Sequence, residues 1–183
     1  FINKLDRVGA DFDRAVGMMR DNLASRPVPI EMPMGSGRDL AGIIDLIDMK
    51  AYIYDDDSFG MKFEIQDIPE EYTEEAEVRR EELVEAVSDF DDKLMAEYLD
   101  GRDADSRRLV KALRKAKAGL VIPGSEVYHG LIEDKFAPIL KSKINNFGSQ
   151  VAATAFAPDD EALICAAIRE HIDKGCDLLL LSG

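Results

Sequence analysis

The chain has 183 residues, 46% of them hydrophobic, enough for one ordinary domain or two small ones with a real core. Its formal net charge of -14, from 23 basic and 37 acidic side chains, disfavours general nucleic-acid or anionic-membrane binding. No run reaches the length of a membrane span, and two histidines with two cysteines are too few at suitable spacing for a zinc cluster.

Phe1-Ile2 reads as the end of a buried strand whose beginning is missing. The turn Asn3-Lys4-Leu5-Asp6-Arg7 follows, then Gly9-Ala10-Asp11. A helix comes next, with Phe12, Val16, Met19 and Leu23 at helical spacing and Asp11 or Asp13 in its first turn. The chemistry lies in Asn3-Lys4-x-Asp6. A carboxylate on a strand-end loop accepts hydrogen bonds from N1 and N2 of guanine, donors that adenine lacks there. A lysine stem can lie along the base, and the asparagine can tie the loop to its neighbour. Alone, this pattern is no more than a solvated turn.

Gly42 to Tyr54 reads as one strand rich in β-branched and aromatic residues. After the acidic turn Asp55-Asp56-Asp57-Ser58, Met61 to Ile65 alternates as a second strand, paired antiparallel with the first. Glu70 to Phe90 reads as a charged helix with Ala76, Leu83, Val84 and Val87 as its stripe. Lys93 to Leu99 is a short helix. A third, capped by Asp105 or Ser106, is expected to run to about Ala118. The basic run Arg107-Arg108, Lys111, Arg114-Lys115 and Lys117 reads as one wet face of that helix.

Phe-Ile-Asn-Lys-Leu-Asp-Arg, Gly-Ala-Asp-Phe and Pro27 to Gly35 together resemble the guanine-recognition segment of bacterial translation elongation factor G. Gly-x-Ile-Asp-Leu-Ile-x-Met-Lys-Ala, an Ile-Pro, and Leu-Met-x-x-Tyr-Leu-x-Gly resemble the insert in its GTPase domain. Over residues 1–118 the resemblance implies a guanine loop at 1–9 and an insert at about 36–118. It also implies Asn3, Lys4 and Asp6 as guanine-specificity residues, GTP or GDP with magnesium as ligand, and the ribosome as partner. The phosphate side is missing: no Gly-x-x-x-x-Gly-Lys-Ser/Thr and no preceding Asp-x-x-Gly occurs. The family's closing Gly-Ser-Ala is replaced by Gly124-Ser125-Glu126, where the glutamate crowds the guanine O6 position.

From Leu120 the pattern changes. Leu120-Val121-Ile122 reads as a buried strand broken by Pro123-Gly124. Gly124 to Gly130 is a glycine-bounded loop, and Asp134 caps or leads a helix carrying Phe136, Ile139, Leu140 and Ile144. Val151 to Phe156 is a strand. Pro158-Asp159-Asp160-Glu161 opens a helix with Leu163, Ile164, Ala167, Ile168 and Ile172, ended by Gly175, and Leu178 to Leu181 is the next strand. Cys165 and Cys176, in this helix-to-strand unit, read as buried thiols of a cytoplasmic protein.

Strand and helix in alternation imply a parallel βαβαβ three-layer unit. Gly-Ser-Glu-Val-Tyr-x-Gly, Ile-x-Asp-x-Phe, Pro-Asp-Asp and the strand into Ser182-Gly183 resemble the molybdopterin-binding domain of molybdenum-cofactor biosynthesis proteins. Over 120–183 the resemblance implies a small-molecule pterin as ligand and Asp159 as the functional acid. Gly124, Ser125, Glu126, Gly130, Asp134, Ser182 and Gly183 would lie on the pterin-phosphate side. The expectation for the whole chain is an α/β composite of two incomplete domains, an α+β first part and a parallel second, joined near Gly119. It is expected to lack catalytic activity of its own.

Overall fold

The computed structural model describes residues 2, 4–54 and 62–181. Phe1, Asn3, the turn 55–58, Met61, Ser182 and Gly183 lie outside the described residues. The chain is mixed α/β, with a four-stranded antiparallel sheet and a three-stranded parallel sheet. It divides into two compact units, one of the chain up to Asn22 with Arg26–Val110, the other of Leu23–Ser25 with the chain from Lys111.

The first unit opens with α1 (Phe12–Leu23). Its sheet is a meander of β1 (Glu31–Met34), β2 (Gly42–Asp45), β3 (Lys50–Tyr54) and β4 (Phe63–Gln66) in that order. Residues opposite one another in an antiparallel ladder share a face. Met32 pairs with Ile44 and Ile44 with Ala51, and all three are buried. The other face carries Tyr52 opposite Ile65 and Tyr54 opposite Phe63, with Phe63 and Ile65 exposed.

Two departures from the sequence expectation have local causes. Gly42 to Tyr54 is a hairpin of two strands, because Asp45 Oδ1 accepts the amides of Ile47 and Asp48 and Met49 adopts φ 51°. An aspartate that bonds the backbone two and three residues on folds the chain into a turn despite the apolar Leu46 and Ile47. The proline-rich stretch before Gly35 supplies β1, where Pro33 is tolerated because β1 is an edge strand.

α2 (Glu70–Ser88) buries Ala76, Leu83, Val84 and Val87, and α3 (Asp92–Leu99) is capped by Asp91, which accepts from Lys93 and Leu94. Arg79 of α2 donates to Asp13 of α1 at 2.6 Å and lies 5.5 Å from the Phe12 ring centroid, fixing the two helices together. α4 (Ser106–Leu113) is shorter than expected. Turn bonds from Lys115 and Ala116 close it, and Lys117 already belongs to the next strand. The basic run is therefore divided between a helix, a turn and a strand, and Arg108 is ion-paired with Glu97.

The second unit holds β5 (Lys117–Pro123), β6 (Gln150–Ala157) and β7 (Leu178–Leu181), all parallel, in the order β6-β5-β7. The short α5 (Ser125–Tyr128) and α6 (Phe136–Asn146) connect β5 to β6, and α7 (Glu161–Asp173) connects β6 to β7. Ala118, Leu120 and Ile122 of the central strand share a core with Ala137 and Ile144 of α6. The intervening Gly119 points the other way, at His171 of α7. The helices thus cover opposite faces, as right-handed crossovers around a central first strand require. Gly119, expected at the join, sits buried inside β5, paired with Ala153 and Leu179.

Candidate functional site

Because β5, β6 and β7 are parallel, their carboxyl ends lie along one edge, where the loops after Pro123 and Ala157 emerge. In open α/β sheets that edge is where ligands bind, at the point where crossovers diverge to either side. Here the divergence lies between β5 and β7, flanked by the Gly124–Gly130 loop.

The loop after β5 is tied to the loop after β6. Gly124, at φ 145°, donates its amide to Ala157 O at 3.0 Å. The Ser125 amide donates to Asp159 Oδ2 at 2.9 Å, and the Asp159 amide donates to Ser125 Oγ at 3.1 Å. This reciprocal clasp joins residues 34 apart in sequence. The neighbouring acids divide the work: Asp160 caps α7 by accepting from Leu163, which leaves Asp159 to reach across. Asp134, one residue before the Lys135 N-cap of α6, accepts from the amides of Phe136 and Ala137. Glu126 and Gly130 are exposed on the loop. The amides of Gly124 and Ser125, two of those expected to face a phosphate, are already engaged within the protein.

The Ser125 amide, and next the Ser125 hydroxyl, hold the Asp159 carboxyl below its ordinary value of 3.8. A carboxyl depressed on folding contributes stability above its unfolded pKa, and that contribution fades as pH falls through the folded pKa. Acidification below pH 3.8 should therefore loosen the clasp. In a carbon-detected titration the Asp159 midpoint should fall under 3.8, and Ser125→Ala should raise it part of the way. A wild-type midpoint at or above 3.8 would contradict the clasp.

The sequence reading missed His171. It is 1% exposed, and its Nε2 lies 3.0 Å from Leu120 O. A carbonyl only accepts, so Nε2 carries a proton, and the buried Nδ1 has no hydrogen-bond partner. A histidine on the apolar face of a helix, opposite a glycine in the central strand, is the one sequence signal that points there. Burial raises the pKa of the neighbouring Cys176 thiol, with Asp177 adding to it.

In the first unit, Lys4 (φ 63°) and Asp6 are exposed on a turn closed by Arg7 N to Lys4 O, and Gly37 N donates to Leu5 O at 2.8 Å. Among the described residues no cluster of acids, cysteines and histidines is arranged for a metal ion, and no helix is long and apolar enough to cross a membrane.

Residues 119–183 match the model of a family described as a probable molybdopterin binding domain. Asn3, Lys4 and Asp6 lie outside that match. A crystal structure of a protein from Thermus thermophilus is similar at 20% identity and a TM-score of 0.45, over 93% of this chain. The chain spans 21% of that protein's length.

Proposed function

We propose that residues 119–183 bind a molybdopterin-type pterin at the carboxyl edge of the parallel sheet, with Asp159 facing the ring. The observation that carries this reading is the Ser125–Asp159 clasp, which lies within the matched segment. It holds an ionised, exposed carboxylate beside the loop of the central strand. A pterin edge offers an amino group and a ring N–H side by side, both donors, and an ionised carboxylate only accepts. The phosphate falls to the side of the β5–β7 divergence; Ser182 and Gly183, which the resemblance assigns to the phosphate, lie outside the described residues. Gly124 and Gly130 shape that loop, and the Glu126 charge weakens rather than strengthens phosphate binding there. The reading is of binding without adenylylation or metal insertion.

Asp159→Asn keeps the side-chain shape and removes the charge, and should weaken molybdopterin binding about tenfold, the value of one charged hydrogen bond. Titration of the purified ligand followed by pterin fluorescence reads this directly. Equal affinity of wild type and variant would remove Asp159 from the site, and no binding by wild type would end the reading.

For the first unit, Asn3-Lys4-x-Asp6 supports a remnant guanine loop of the elongation factor G type. Lys4 and Asp6 are exposed on one hydrogen-bonded turn, as a base-contacting loop requires. We expect weak GDP binding at most and no magnesium-dependent GTP hydrolysis. Calorimetric titration of GDP against wild type and Asp6→Ala tests it, and turnover by the isolated chain would refute it.

A further inference from the structure

Away from the carboxyl edge, the outer side of β6 carries a second feature. β6 is an edge strand, paired on one side with β5. Its eight residues, Gln150–Ala157, include no charge and no proline, so of the usual devices that keep an edge from pairing with another chain this strand has only a bulge. The register against β5 skips Ala152, so this exposed residue stands outside the ladder as a bulge. Along the bulged half runs a groove of about 620 Å³, walled by Lys141 and Asn145 of α6 and floored by Gln150 to Thr154.

The lining holds one ammonium, two amides and a hydroxyl, and no carboxylate, on a chain whose net charge is -14. We propose that this groove takes an extended, acidic segment of a partner protein as an added strand on β6. Backbone amides and carbonyls of the edge supply the pairing, and Lys141 selects a glutamate or aspartate of the incoming strand. At physiological salt the screening length is about 8 Å, so the guest's carboxylates respond to Lys141 rather than to remote acids. A second copy of this chain fits less well. Pairing two β6 edges brings two Lys141 side chains and two strongly negative bodies together.

The test uses the full chain and a fluorescein-labelled peptide alternating valine with glutamate, followed by anisotropy. Saturable binding is expected. It should fall about tenfold with Lys141→Glu, fall as far with the N-methylated peptide, and vanish when lysine replaces glutamate in the peptide. Lys141 is exposed, so the variant should keep the wild-type circular dichroism spectrum. The proposal is overturned by the absence of saturable binding, by binding indifferent to Lys141→Glu or to N-methylation, or by a sedimenting dimer that the peptide does not dissociate.

Discussion

Arg80→Met should destabilise the first unit by roughly 2–4 kcal/mol, the summed cost of stranding two buried acceptors. Arg80 is 9% exposed, and its guanidinium holds together three separate stretches of chain. Nη1 donates to Leu46 O at 2.7 Å and to Ile47 O, and Nη2 donates to Ala104 O at 2.7 Å. Leu46 and Ile47 belong to the turn between β2 and β3, and Ala104 precedes α4, so one side chain closes both segments onto α2. Methionine preserves much of the apolar stem and removes every donor, which isolates the hydrogen bonds from the packing. The ion pair with Asp103 adds little, because it spans 3.7 Å and the aspartate side chain is 92% exposed. Urea unfolding followed by hydrogen exchange should show the loss at the amides of the 46–49 turn and at the start of α4. A change under about 0.5 kcal/mol would mean that water replaces the guanidinium without cost.

What the sequence makes legible depends on whether the cause is local. α1, α2, α3 and α7 follow from apolar spacing and from acids at their starts; Asp160 caps α7, and Asp134 accepts the first amides of α6 from one residue before its cap. The parallel unit is legible because its strands are apolar runs separated by helices. The hairpin at Asp45 is not, because Leu46 and Ile47 continue the apolar pattern through a turn that a single carboxylate imposes. β1 is hidden by Pro33, which only its edge position excuses. At the candidate site, Asp159 can be singled out from Pro-Asp-Asp. Its partner Ser125 is a contact across 34 residues that no spacing rule reaches. Arg80 and His171 are hidden for the same reason: a charged or polar residue on a helix reads as solvated until the fold brings carbonyls to it.

His171 also governs the second large effect, at Gly119. Gly119→Ala should cost about 2–4 kcal/mol, from overpacking in the core together with a strained or broken buried hydrogen bond. A Cβ at this position would sit 2.6 Å from His171 Cδ2, 3.0 Å from Leu179 Cδ2 and 3.1 Å from Cys176 Sγ. The leucine methyl can turn away, but the imidazole cannot without leaving Leu120 O, to which Nε2 donates. The glycine is therefore required by the close approach of α7 to the central strand and not by its backbone angles. Alanine lowers the entropy of the unfolded chain by the equivalent of about 0.4–1 kcal/mol, which offsets only part of the loss. The cause separates in a double-mutant cycle with His171→Ala. His171→Ala alone leaves a cavity and removes the buried hydrogen bond from Nε2 to Leu120 O, so it destabilises too. In that background the alanine at 119 has room, and its added cost should fall below about 1 kcal/mol. Additive losses in denaturant midpoints would show that Leu179 and Cys176, rather than the imidazole, set the limit at this position.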